Sequence, residues 1–233
     1  MAEGGRRGAG VDGRTARWAG HRDKRRAEIV DAALAAIVEH GPWVSTERIA
    51  DRAGVSRPQL YRHFADADEL HDAVAGRVAE LFAEEILPGL VRPSGTAREV
   101  IGQVVGTFVS WMVCNASLYD YMVVRATGLA PGRGGRAADL RAQVADRLRE
   151  LLGGYLRLLG ADPARADLVA FGVAGLVEST TVRWLAVPGA IDEAQLVRRL
   201  SAAVWALVDD ELRDAGVELD PDVPLPELPE GPA

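Results

Sequence analysis

Residues 45–64 read STERIADRAGVSRPQLYRHF. Ser45 and Ser56 each stand where a side-chain oxygen can accept from an orphan backbone N–H at a helix start. Ile49, Ala50 and Ala53 put apolar or small groups on one side of the first helix. Gly54 falls where the chain must reverse, and glycine tolerates positive φ without Cβ strain. Val55 and Leu60 then tie a second helix onto the first, and the small Ala50 lets the two backbones cross closely. The pattern predicts helices over 45–53 and 56–63 in a helix-turn-helix arrangement, whose second helix lies in a DNA major groove.

Charge supports this reading only through its distribution. The 233 residues carry 27 Lys/Arg and 34 Asp/Glu, a formal net charge of −7. Residues 1–26 hold eight basic and three acidic side chains, giving +5, whereas 27–70 give −4 and 71–233 give −8. The positive end is attached to the reading head. Lys24 is the single lysine, and the abundance of Arg, Ala and Gly reflects a GC-rich genome more simply than a nucleic-acid partner. Cys114 is the single cysteine, which excludes an intrachain disulfide. No secretory leader is visible, and no uninterrupted apolar run reaches the roughly 18 residues of a membrane span. These features predict a soluble cytoplasmic protein.

Working outward from the motif, Ile29, Ala33 and Ile37 recur at helical spacing with Val30, Leu34 and Val38, predicting a helix from about Arg22 to His40. Gly41 and Pro42 stop it. Residues 1–20 are expected to be a disordered basic arm, either a plain extension or a strand of charge along DNA. A connecting helix is predicted from Asp66 to Leu87, with Pro88 ending it. Thr96 and Glu99 form a capping-box pattern ahead of a long apolar helix, 97–116. Further helices are predicted over 119–126, 137–159, 164–185 and 192–215. The loop 127–136 and the proline-rich acidic tail 216–233 are expected to lack regular structure. The fold class is therefore all-α: a helix-turn-helix unit over 21–66 and a helical bundle over 67–215.

With these elements placed, the run from Ile29 to Leu70 resembles the DNA-binding domain of the tetracycline-repressor (TetR) family of bacterial transcription regulators. The likeness rests on the AAL of the first helix, the ST–IA–AGVS core, and LYRHF followed by an acidic helix start. Beyond Leu70 the chain resembles the family only in length and helical character. The resemblance implies that Thr46, Tyr61 and His63 touch phosphates and that Arg57, Pro58 and Gln59 face base edges. An arginine fork can hold guanine O6 and N7, glutamine can do the same for adenine, and a proline ring can meet a thymine methyl. Arg62 is a further candidate contact. Arg57 and Arg62 also have a plainer reading as solvated arginines, and His63 as a packing residue. One departure stands out: many members place a phosphate-gripping lysine where this chain has Ala67. Arg25 and Arg26, with Arg22, are the candidates to supply the missing charge.

The resemblance also implies a homodimer joined through its last two long helices, 164–185 and 192–215, reading a palindromic operator. Trp184 and Trp205 suit such an interface. Between them and the reading head lie Trp111, Met112, Asn115, Tyr121, Met122, Arg125, Phe171 and Glu178, the candidate lining of a site for a small apolar or amphipathic inducer. Each aromatic or sulfur side chain among them also has the plainer reading of ordinary core, and Arg125 would meet a ligand carboxylate, pair with Glu178 or lie exposed at the surface. The expected function is a ligand-responsive repressor released by that inducer. The alternative is a constitutive repressor or an activator without one. No nucleophile elbow, phosphate loop, dinucleotide fingerprint or zinc spacing appears, so the expectation is neither an enzyme nor a metal or cofactor binder.

Overall fold

The computed structural model describes residues 9–91, 93–127, 136–187, 189 and 191–228. Ten α-helices follow one another: α1 (Ala9–His40), α2 (Thr46–Arg52), α3 (Arg57–Leu60), α4 (Ala67–Ile86), α5 (Pro88–Val91), α6 (Ala97–Cys114), α7 (Ala116–Thr127), α8 (Arg136–Leu158), α9 (Ala166–Ala186) and α10 (Glu193–Asp214). Among the described residues there is no strand, as the all-α expectation requires.

Local chemistry sets the boundaries. Ser45 Oγ accepts from Arg48 N–H at the start of α2, and Asp66 accepts from Glu69 N–H at the start of α4. Thr96 and Glu99 exchange both bonds of a capping box before α6, and Asp192 with Gln195 does so before α10. Gly41 and Gly54 adopt φ of 84° and 64°, the left-handed turns that end α1 and join α2 to α3.

One apolar core runs unbroken from the reading head into the bundle. It passes from Ile29, Ile37, Ile49, Leu60 and Phe64 through Leu70, Val74 and Val78 of α4 to Phe108, Met112 and Tyr121, then to Val173 and Leu200. Phe82 sits at its waist, edge-on to Phe108 at 5.9 Å and to Trp111 at 4.9 Å between centroids.

Two expectations are corrected, and a third is narrowed. The first helix reaches back to Ala9, so the arm is helical over 9–20, and residues 1–8 lie outside the described residues. Three glycines in that stretch argue against helix, but extension from an existing helix adds one bond per residue and escapes the nucleation cost. The tail is ordered as far as Leu228. Leu225 N–H donates to Gly95 C=O at 2.8 Å, Arg98 N–H donates to Pro221 C=O at 3.1 Å, and Thr96 bridges Pro224. Its prolines pre-set an extended path, and its half-buried leucines pack on the bundle. The third concerns apolar runs alone: Pro163–Ala186 is long and apolar enough to cross a membrane by length and composition, as the core helix of a bundle also can be, so the expectation of no membrane span is not overturned. The buried face of α9 (Ala170, Val173, Ala174, Val177, Thr181) is continued by an apolar outer face, with Leu168 83% and Phe171 57% exposed.

Candidate nucleic-acid interface and ligand cavity

In the reading head, α2 and α3 pack through Ile49, Ala50 and Leu60 onto α1, leaving Arg57, Pro58, Gln59 and Arg62 exposed together on and just after α3. Thr46 and Tyr61 are half-buried beside them. Arg57 is pre-oriented: its Nη1 lies 2.8 Å from Glu47 Oε1, and its guanidinium stands 5.8 Å from the Tyr61 ring centroid. Gln59 folds back as an N-terminal cap. Its Oε1 accepts from Ser56 N–H at 2.8 Å and from Ser56 Oγ at 3.0 Å. His63 turns inward, with Nδ1 buried and without a hydrogen-bond partner, which fits the packing role. Trp43, three residues before Thr46, is exposed and passed unnoticed in the sequence because a lone aromatic in a loop carries no periodicity.

The arginines expected to replace the missing phosphate anchor are engaged elsewhere. Arg26 donates to His63 C=O at 2.7 Å and to Glu69 at 2.6 Å, with its guanidinium 4.2 Å above the Phe64 ring. Arg25 pairs with Glu28 at 2.7 Å and reaches Ala53 C=O at 3.3 Å. Both clamp α1 to the motif, because the carbonyls ending α2 and α3 need donors. Glu69 is held below the ordinary glutamate range, first by the Ala65 N–H and then by Arg26. A lowered folded-state pKa gives a contribution that is in place at neutral pH and lost as pH falls through that lowered value. Amide protection over 45–63 should therefore hold from pH 7 to 5 and drop below about pH 4. Glu69→Gln should abolish that acid step, as hydrogen exchange would record.

A largely apolar cavity of about 150 Å³ lies in the bundle. Its walls include Ile86 of α4, Val100 and Val104 of α6, Leu148 of α8, Val173 of α9 and Val208 of α10. Of the eight residues expected to line a ligand site, the seven whose side chains are described do not border it, and Trp111 and Asn115 line instead a separate, more open cleft between α4 and α6. Trp111, Met112, Tyr121 and Met122 are buried core side chains. Asn115 caps the end of α6, and Phe171 faces outward. The side chain of Arg125 lies outside the described residues. Glu178 is engaged within the subunit: Tyr119 Oη donates to its Oε1 at 2.6 Å, and its buried Oε2 makes no hydrogen bond but stands 3.1 Å from Arg141 Nε as an ion pair. Burial and that carboxylate together push the Tyr119 hydroxyl well above its ordinary pKa. Aromatic and sulfur content marked the core, whereas the cavity is walled by aliphatics, which sequence alone does not separate from core. Trp205 lines the cavity, and Trp184 bonds Ile191 C=O at 2.9 Å, so both expected interface tryptophans serve within the subunit.

Helix α7 joins the two regions. Tyr119 reaches α9 through Glu178, while the Tyr121 hydroxyl hydrogen-bonds His71 Nδ1 on α4. Both contacts are buried or half-buried, so α7 ties α4 to α9.

This is the architecture of a helix-turn-helix DNA-binding regulator with a cavity-bearing helical bundle behind its reading head. Residues 29–74 match the bacterial regulatory proteins described as the tetR family. An uncharacterised HTH-type transcriptional regulator of Mycobacterium tuberculosis is 25% identical over 199 residues, 84% of this chain and 82% of the relative. The HTH-type transcriptional activator FasR of Mycolicibacterium smegmatis is 26% identical over 185 residues, 79% and 83% of the two chains. A TetR-family regulator from Streptomyces coelicolor superposes with TM-score 0.58 at 26% identity, covering 82% of this chain and 90% of that one. The transcriptional regulator FadR of Bacillus subtilis, solved with stearoyl-CoA, shares the fold with TM-score 0.60 at 18% identity, covering 76% and 96%. Residues 29–74 are thus a tetR-family DNA-binding domain, and over most of its length the chain is similar to TetR-type transcriptional regulators.

Proposed function

We propose that this protein is a homodimeric repressor whose operator affinity is lowered when an apolar-chain effector enters the cavity. One observation carries the reading: α4 begins in the reading head, with Leu70 in its core, and ends at Ile86 in the cavity wall. A ligand that parts the cavity walls therefore displaces the same helix that sets the reading head. The magnitudes fit. An eight-carbon chain, at about 0.8 kcal/mol per buried methylene, brings roughly 5–6 kcal/mol. Shifting a two-state equilibrium from 1:99 to 99:1 takes about 5.5 kcal/mol of differential affinity. The acyl-thioester held by FadR supports an acyl chain as the class of effector. Such a regulator acts in the cytoplasm, where the chromosome is.

In the DNA complex, Arg57 leaves Glu47 for a guanine edge, Pro58 meets a thymine methyl, and Gln59 exchanges its Ser56 cap for adenine. Thr46, Tyr61 and Arg62 hold phosphates. Arg57→Ala should weaken operator binding by about 1–3 kcal/mol and relax the sequence preference at one base pair of each half-site. Fluorescence anisotropy against an operator and its single-base variants measures both effects. The ligand step is tested with the wild-type dimer on its operator, titrated with octanoyl-CoA and octanoate. Release of DNA by either supports the reading, and unchanged affinity with the ligand bound contradicts it. The similarity to FasR favours a second reading, activation, in which ligand again changes DNA affinity but the regulated promoter responds with the opposite sign.

A further inference from the structure

Among the described residues, the cavity walls hold no arginine, lysine or histidine. An anionic head on an apolar chain must therefore find its counter-charge at the rim. Ala97 and Ile101 of α6 are wall residues, and between them stands Arg98, 59% exposed at its side chain. The tail supplies Arg98 with a carboxylate. Asp222 takes Nε at 2.6 Å and Nη2 at 3.0 Å, a two-point grip of the kind arginine gives a carboxylate or phosphate. Leu219 and Leu225, flanking Asp222, line the cavity themselves. The tail thus places a carboxylate on Arg98 and apolar side chains in the cavity wall, the two halves of an anionic amphiphile.

Resting on the effector reading above, we propose that Arg98 is the head-group site of this cavity, and that the tail carboxylate of Asp222 occupies it until the anionic head of an apolar-chain ligand takes its place. The shared chemistry is an apolar chain with an anionic head, either a free carboxylate or the phosphates of a thioester carrier. Both carboxylate and guanidinium are solvent-exposed, so the exchange is nearly balanced and leaves chain burial to supply the affinity. Glu211, the acidic residue in the wall, is already held by Arg165 and does not compete. Asp220 lies near enough to Arg98 to add to the field at the site, and its carboxylate accepts from Asp222 N–H at 2.9 Å, shaping the turn that presents Asp222.

The test is equilibrium binding of octanoate, octanoyl-CoA and uncharged 1-octanol to the full chain and to Arg98→Gln and Asp222→Asn. Octanol binding reports that the cavity is intact in each variant. Arg98→Gln should lose about fivefold in affinity for the anionic probe and none for octanol, and Asp222→Asn should gain about twofold to fivefold for the anionic probe alone. Which anionic probe shows the dependence tells carboxylate from phosphate. Hydrogen exchange over 217–228 should rise when that probe binds the wild type. Anionic binding that ignores both substitutions overturns the head-group site and leaves the effector reading standing. Failure of all three probes to bind the wild type overturns the effector reading, and this inference with it.

Discussion

Replacing Leu168 and Phe171 together by aspartate is expected to yield a folded monomer whose operator affinity is at least about 100-fold lower, roughly 2.7 kcal/mol. Leu168 and Phe171 stand out from the solvent-facing side of α9, opposite Val173, Ala174 and Val177, which face the cavity. Gly172 and Gly175 have open space where a Cβ would project, so a second backbone can come close there. Large apolar side chains exposed together mark an association surface, and the proposed dimer seats a second copy of this chain on it. A half-site bound by one short recognition helix gives little affinity, and two joined heads bind far more tightly. Burying a carboxylate without a partner at each position opposes association strongly. Sedimentation measures the oligomer and anisotropy measures the affinity. A double variant that stays dimeric and keeps its operator affinity removes α9 from the interface.

The second large effect is expected at Phe64→Ala. Phe64 is fully buried between Ile29, Leu60 and Leu70, and the Arg26 guanidinium covers its ring. Truncating a buried phenylalanine costs about 3–5 kcal/mol, a large part of the 5–15 kcal/mol that holds a domain together. The loss falls on the smaller end of the core, and it also leaves Arg26 with only His63 C=O and Glu69. The reading head should therefore lose amide protection over 45–63 and stop binding DNA, while dimerisation and ligand binding persist. Hydrogen exchange and sedimentation on the same sample separate these outcomes. Loss of the whole fold in one step would show that the head has no independent stability.

How much of this was legible beforehand follows the physics of each region. The reading head announces itself because Ser45, Gly54, Ser56 and Leu60 act through local rules of capping, turning and alternation. The capping boxes at Thr96–Glu99 and Asp192–Gln195 fix helix starts for the same reason. The clamp of Arg26 onto Glu69 spans 43 residues, and no local pattern distinguishes it from an arginine waiting for phosphate. The aliphatic walls of the cavity are hidden in the sequence on similar grounds. Valine and leucine at helical spacing fill a core or frame a void equally well, and only the relative setting of α6, α8, α9 and α10 decides between them. The tail was misread because proline and acid suggest solvation unless a partner such as Arg98 stands 124 residues away in sequence.

In the proposed function, two copies of the 45–64 motif read DNA as a unit under control of the cavity. Selection of bound sequences from a random DNA pool by the purified full-length protein, with and without octanoyl-CoA, tests it most directly. Enrichment of an inverted repeat with one fixed half-site spacing is expected, with loss of that enrichment when the ligand is present. Enrichment of single half-sites, or of nothing above the starting pool, would contradict it.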